Sequence, residues 1–151
     1  MPATIVPLTP DRFEDFVALV NALADFERLD RPDADAVARL RHDAFGPRPR
    51  YEAALALDES GRAVGYAMWF ETYSSLLARP TMYLEDLFVM ESARGAGVGG
   101  ALFDHVRARG RERGCGRMDW QVLEWNTPAR EFYARRGARV LKQWLTCRIT
   151  C

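Results

Sequence analysis

A chain of 151 residues has room for one domain, read here as spanning 1–151, and its 48% hydrophobic content is enough to build a core. Lys+Arg and Asp+Glu both number 21, so the net charge of zero excludes the basic excess by which most nucleic-acid binders are recognised. There is no run of about 18 apolar residues, Met1 to Pro7 carry no basic region ahead of a long apolar stretch, and Cys115, Cys147 and Cys151 have no C-x-x-C spacing. The expectation is a cytoplasmic chain with free thiols and no membrane segment, nucleic-acid partner or metal site.

Ala3 to Leu8 reads as a first strand, and Pro10 and Asp11 then open a helical stretch. Phe13, Phe16, Leu19, Val20 and Leu23 recur at helical spacing and form one apolar stripe. A second helix is expected over Asp33 to Phe45, broken by Gly46-Pro47-Arg48-Pro49. Tyr51 to Leu57 and Ala63 to Tyr73 are strands joined by the turn Asp58-Glu59-Ser60-Gly61, a hairpin. After a loop from Ser74 to Pro80, Met82 to Met90 is a dense apolar strand interrupted by Glu85 and Asp86. Ser92 to Gly97 is a glycine-rich loop leading into a helix through Arg113, with Val98, Leu102 and Val106 four apart on its inner face. Arg117 to Leu123 is a strand, and Thr127 and Pro128 look like the N-cap and first residue of a short helix that Gly137 closes. Ala138 to Ile149 is expected to supply a last strand. This order predicts an α/β fold, a mixed sheet with helices packed on it.

Arg94-Gly95-Ala96-Gly97-Val98-Gly99-Gly100 follows a strand and opens a helix. Small residues let backbone N–H groups point at a phosphate, and the helix N-terminus adds a favourable dipole. A diphosphate ligand fits such a loop; taken alone, so does a glycine-rich helix start that binds nothing. Gly95, Gly97 and Gly100 also satisfy the dinucleotide fingerprint G-x-G-x-x-G. That reading is rejected, because Glu91, Ser92, Ala93 and Arg94 separate the glycines from the strand. Too little chain also follows for a second nucleotide-binding half.

Tyr83-Leu84-Glu85-Asp86-Leu87-Phe88-Val89-Met90 followed by Arg94-Gly95-Ala96-Gly97-Val98-Gly99 resembles the core motif of the GNAT superfamily of acyl-CoA N-acetyltransferases. Its signature, [R/Q]-x-x-G-x-[G/A], is met by Arg94, Gly97 and Gly99. Glu124-Trp125-Asn126-Thr127-Pro128-Ala129 and Phe132-Tyr133-Ala134-Arg135-Arg136-Gly137-Ala138 resemble the second half, and in particular the diamine branch (spermidine/spermine and thialysine enzymes). The resemblance implies a central mixed sheet, flanked by helices, whose parallel strands Met82–Met90 and Arg117–Leu123 splay apart. The pantetheine arm of acetyl-CoA would enter the gap and pair with the backbone of Leu87 and Val89, flanking Phe88, with the diphosphate on Gly95 to Gly100. It also implies a homodimer.

The implied chemistry is acetyl transfer to a primary amine in a ternary complex. An alkylamine has a pKa near 10.4, so on the order of one molecule in two thousand is a free nucleophile at neutral pH. A proton must therefore be removed from the amine, and the departing thiolate is helped by receiving one. The resemblance makes Tyr133 the acid, although a packing tyrosine would look the same. Glu85 is the implied base, acting through water, and also a cation anchor; the alternative is a carboxylate paired with an arginine. Strand alternation puts Glu85 and Asp86 on opposite faces, so the two cannot share one role. Glu27, with Phe26 beside it, matches a substrate-binding acid, or else is a solvated helix end. Asp30 and Asp33 would extend an acidic rim. Asn126 matches a coenzyme contact or a helix cap.

Arg107, Arg109, Arg111 and Arg113 read as complementing the helix dipole rather than as a nucleic-acid patch, and His42 and His105 have no partner pattern. Ser74 stands where some polyamine enzymes carry an acid, which leans the acceptor toward thialysine, lysine-like amino acids or a short diamine. The rival readings are a non-catalytic acyl-CoA-binding regulatory domain and an acetyltransferase acting on protein N-termini or lysines.

Overall fold

The structure is a computed structural model that describes residues 3–151, and the chain forms two compact units, the first ending at Trp120 and the second running from Gln121 to Cys151. In the first, strands β1 (Thr4–Pro7), β2 (Glu52–Leu57), β3 (Ala63–Ser74), β4 (Arg79–Val89) and β5 (Arg117–Trp120) form one sheet in chain order. The first four pair antiparallel and β5 pairs parallel with β4, so the sheet is mixed as expected. Helices α1 (Phe13–Glu27) and α2 (Ala34–Phe45) connect β1 to β2, and α3 (Val98–Glu112) carries the crossover from β4 to β5.

Two apolar faces hold this unit together. Phe13, Phe16 and Leu19 on the stripe of α1 are buried against Tyr51, Ala53, Leu55, Tyr66 and Phe88. Phe16 meets Tyr66 edge-on at 5.4 Å, a favoured aromatic geometry. α2 joins this layer through Val37 and Leu40, and the Leu40 carbonyl accepts the Tyr51 hydroxyl at 2.6 Å. The alternate residues of β3 face α3. Trp69 packs on His105 at 5.7 Å, and a Cβ on Gly65 would come within 3.3 Å of Leu102 and 2.9 Å of the Phe88 carbonyl. His105 is half-buried, and its pKa is lowered, chiefly by burial. The arginines at the end of α3 do more than meet a dipole. Arg113 is paired with Glu52, which also takes Arg109 at 3.3 Å and the Trp69 indole N–H at 3.2 Å.

The second unit holds α4 (Thr127–Arg135). Its N-cap is Asn126, whose side-chain oxygen accepts the Ala129 N–H at 3.3 Å, so Thr127 is the first helical residue and Pro128 the second, and the helix starts one residue earlier than expected from the sequence. Gly137 follows the helix with φ of 86°, as a closing glycine should. The strand expected over Ala138 to Ile149 does not form. The segment is rich in apolar residues, with Val140-Leu141 and Trp144-Leu145 as adjacent pairs, but it lacks the strict alternation of a half-buried strand, and no described strand pairs with its N–H and C=O groups. Val140, Trp144, Leu145 and Ile149 are left more than half exposed, at 64%, 75%, 84% and 89%.

Candidate active site

Residues of β4 beyond Leu84 have no strand partner on the β5 side among the described residues. The parallel ladder with β5 runs from Thr81 opposite Arg117 to Leu84 opposite Trp120 and stops there, while β4 continues to Val89. The Met90 N–H bonds the Val64 carbonyl at 2.8 Å. That makes Gly65 opposite Val89, and by alternation Ala67 opposite Leu87, non-hydrogen-bonded pairs. The N–H and C=O of Leu87 and Val89 therefore point away from β3, while Phe88 between them is buried in the core with α1. One of these four groups is already used, because Arg94 Nε donates to the Val89 carbonyl at 2.9 Å. The Leu87 N–H and C=O and the Val89 N–H remain.

At the start of this stretch the register slips. Met68 is opposite Asp86 and Trp69 is opposite Leu84, so Glu85 is the extra residue of a β-bulge. The bulge cancels the alternation argument that assigned Glu85 and Asp86 to unrelated environments. Glu85 is exposed, with no hydrogen bond or ion pair among the described residues, so the arginine partner considered for it is absent. Asp86 is partly buried on the α1 side, where the Tyr66 hydroxyl donates to its Oδ2 at 2.9 Å. Burial pushes the Asp86 carboxyl up to about 6, with Glu85 and Glu27 adding to the rise and the Tyr66 hydrogen bond opposing it. Burial likewise raises Tyr66, reinforced by Asp86, Glu27 and Glu85.

Glu27 reaches the same field from the last position of α1. It is partly buried, its pKa is raised by that burial, and no described cation pairs with it. Glu27 and Glu85 thus both act through space on Asp86 and Tyr66, and none of the three carboxyls is paired with an arginine among the described residues. Of the outer rim, Asp33 is the N-cap of α2, accepting the Ala36 N–H at 2.8 Å. Asp30 is exposed. Asp86 and Tyr66 are the residues that sequence reasoning missed. Two adjacent acids in an apolar strand were the available signal, since one of them must be extruded or paired.

The loop after β4 enters α3 by backbone geometry alone. Gly95 and Gly97 both have φ of 82°, and no side chain caps the helix, which has no acid in its first turn. Ala96 and both glycines are exposed, Val98 and Gly100 are buried, and Gly99 lies between. The first helical hydrogen bond is Ala101 N–H to the Gly97 carbonyl at 3.0 Å, so the N–H groups of Val98, Gly99 and Gly100 precede it. Uncapped donors at a positive helix end form an anion site. An added Cβ would touch nothing within 4 Å at Gly97, so Gly97→Ala tests backbone conformation only. It should lower stability by about 1–2 kcal/mol, measured as the shift of a urea unfolding curve. An unshifted curve would mean that the loop relaxes without cost.

Arg94 does not extend into this loop. Its guanidinium lies 5.0 Å from the Phe26 ring centroid and 5.7 Å from that of Phe88, and the two rings are 6.2 Å apart. The first unit therefore brings together Phe26, Glu27, Glu85, Asp86, Leu87, Phe88, Val89, Arg94 and the glycine loop. Tyr133 and Asn126 stand in the second. Tyr133 is partly buried on α4, its ring edge-on to Phe132 at 5.3 Å. Among the described residues no group of three His, Cys, Asp or Glu could hold a metal, and no helix is long and apolar enough to cross a membrane.

The acetyltransferase (GNAT) family matches residues 16–138. The thialysine N-epsilon-acetyltransferase of Mus musculus is 31% identical over 144 residues, covering 89% of this chain and 84% of the mouse protein. The L-ornithine N5-acetyltransferase of Arabidopsis thaliana is 40% identical over 86 residues, which is 57% of this chain but only 38% of that protein. A solved structure of AAC(6')-Iy in complex with the bisubstrate analog CoA-S-monomethyl-acetylneamine superposes with a TM-score of 0.81 at 22% identity, with 100% of both chains covered. The family match takes in α1, the bulged β4, the uncapped glycine loop and α4 alike, and the chain accordingly belongs to the GNAT family and is an N-acetyltransferase.

Proposed function

We propose that this enzyme transfers the acetyl group of acetyl-CoA directly to the primary amine of a small cationic acceptor, of the size of thialysine, ornithine, lysine or a short diamine. The observation that carries the reading is the unpaired group Glu27, Glu85 and Asp86 at the free end of β4. Asp86 feels the charges of both Glu85 and Glu27, no arginine pairs with any of the three among the described residues, and a bound ammonium relieves that repulsion. Because the chain as a whole is neutral, attraction for a cation has to come from such a local cluster. The names of the mouse and Arabidopsis relatives agree with an amino-acid amine as acceptor.

The residues present fit acetyl-CoA. The Leu87 N–H and C=O and the Val89 N–H offer a strand edge to an amide-bearing arm, and the loop Gly95 to Gly100 offers N–H donors to a diphosphate. Bound there, acetyl-CoA supplies a thioester carbonyl and a thiolate leaving group. In this chain the two roles expected of Glu85 divide between neighbours. Glu85, extruded by the bulge, holds the ammonium. Asp86, with its carboxyl raised to about 6, is the better matched base near neutral pH and takes the proton through water. Glu27 fixes the far cationic group of the acceptor, and Tyr133 returns a proton to the departing sulfur. Asn126 acts first as the cap that sets α4.

The experiment is a panel of amines with acetyl-CoA, followed by thiol release. Ser74 leaves no acid at the end of β3, where its hydroxyl accepts the Leu77 N–H at 3.2 Å, so a long polyamine finds one carboxylate fewer. We expect thialysine, lysine and short diamines to exceed spermine in kcat/KM. Glu27→Gln should raise KM severalfold for cationic acceptors and little for neutral amines. Spermine leading by a wide margin would overturn the size argument, and activity on neutral or peptide amines alone would overturn the charge argument.

The enzyme is further proposed to be a homodimer of single-domain chains in the cytoplasm. The segment 138–149 exposes Val140, Leu141, Trp144, Leu145 and Ile149 and has no strand partner among the described residues, which is the support for a second copy. Light scattering at micromolar concentration should give twice the chain mass; a monomer mass would dispose of the dimer.

A further inference from the structure

We infer that Arg94 is a positioning residue for the acceptor side, clamping the end of α1 against the end of β4 so that the loop receiving the diphosphate and the carboxylate receiving the amine are held by one side chain. The inference rests on the acetyl-transfer reading of the site. The signature position occupied by Arg94 would assign it to the coenzyme alone, but its contacts in this chain lie elsewhere. The guanidinium covers Phe26 at 5.0 Å and Phe88 at 5.7 Å, and Nε is tied to the Val89 carbonyl at 2.9 Å. A planar, delocalised cation stacked on aromatic faces is a directional contact that lysine does not reproduce.

The end of α1 needs such a clamp. Glu27 is its last residue, and the chain turns at Arg28 with φ of 59°, a left-handed state that is unfavourable for a residue with a Cβ. The turn is closed by Arg28 N–H to the Asp25 carbonyl at 3.2 Å and Leu29 N–H to the Ala24 carbonyl at 2.9 Å. The ion pair of Arg31 with Asp25 beside it is more than half exposed on both sides and contributes little. Phe26 is the residue of this turn that reaches the core, through Phe88. Glu27 is its immediate neighbour, so fixing the azimuth of Phe26 fixes the direction in which the Glu27 Cα–Cβ bond leaves the helix. Arg94, four residues from Val98 where α3 begins, closes the triangle from the loop side. Seating a diphosphate on Gly95 to Gly100 then steadies Arg94, and through Phe26 it steadies Glu27.

The test is Arg94→Lys, with Phe26→Leu and the double variant. At saturating acetyl-CoA, Arg94→Lys should raise KM for a cationic amine by about fivefold or more. Phe26→Leu should do the same, and the double variant should be no worse than the poorer single one, because both break one contact. A role confined to the coenzyme would raise KM for acetyl-CoA alone, leave the acceptor KM within twofold and overturn the inference, as would effects of the two variants that multiply. Hydrogen exchange separates this from the acceptor reading, since it needs no ligand and no turnover. In the free protein, amides of residues 24–29 should exchange about tenfold faster in Arg94→Lys than in the parent, and unchanged protection there would refute the clamp even if every amine in the panel were acetylated.

Discussion

Tyr133→Phe is expected to lower turnover by about 10²-fold or more while leaving the affinity for acetyl-CoA nearly unchanged. That loss corresponds to about 2.7 kcal/mol of transition-state stabilisation, the scale of one well-placed proton donor. The substitution keeps the ring, so the edge-on contact with Phe132 at 5.3 Å survives. So does the end of α4, because it is the Tyr133 backbone carbonyl that accepts the N–H of Arg136 at 3.0 Å and of Ala138 at 3.1 Å. Melting curves of the parent and the variant, measured alongside, separate a fall in rate from a fall in stability. The pH profile gives an independent readout. A phenol that must be protonated to act produces a falling limb at alkaline pH, and that limb should vanish in the phenylalanine variant. Turnover within twofold of the parent, or an unaltered alkaline limb, would reduce Tyr133 to a packing residue.

How much of this was legible in the sequence differs from element to element. The hairpin of β2 and β3, the helix α3 and the stripe of α1 follow from periodicity and turn residues, and they sit within a few residues of where the pattern put them. The glycine loop could be read because Gly95 and Gly97 occupy backbone states that other residues avoid. The bulge at Glu85 could not. A bulge is a property of two strands in register, and β4 by itself shows only two acids in an apolar run. Without it, alternation set Asp86 aside, and with it the hydrogen bond to Tyr66, whose partner lies 20 residues away. The misread strand at 138–149 has the same origin. Its apolar residues suggest a strand, but they come in the adjacent pairs Val140-Leu141 and Trp144-Leu145 rather than in alternation, and pairing depends on a partner strand. Arg94 shows a third kind of gap. A motif position names the residue type, while its direction depends on Phe26 and Phe88 arriving from α1 and β4.

Asp86→Asn should separate activity from stability, moving them in opposite directions. If Asp86 takes the proton from the amine, kcat/KM for cationic acceptors should fall by about 10²-fold, and the acid limb of the pH profile, expected near pH 6, should be lost. Stability follows from linkage. The Asp86 carboxyl is held at about 6 in the folded chain against an ordinary value of 3.8, so folding favours its protonated form. Its contribution is fully present below about pH 4 and is lost as pH rises through about 6. At neutral pH the folded protein therefore carries a carboxylate that is partly buried and faces Glu85 and Glu27. Glu27, raised by burial, adds to the strain in the same sense. Asparagine keeps an acceptor for the Tyr66 hydroxyl and removes the charge. The variant should melt higher than the parent at pH 7, and the gain should shrink as pH falls toward 4. A site that holds unpaired carboxyls for a cation gives up stability in doing so, and removing one returns it. A lower melting temperature at pH 7 with the acid limb intact would show that Asp86 is held there for Tyr66 and the core, and would take the proton away from it.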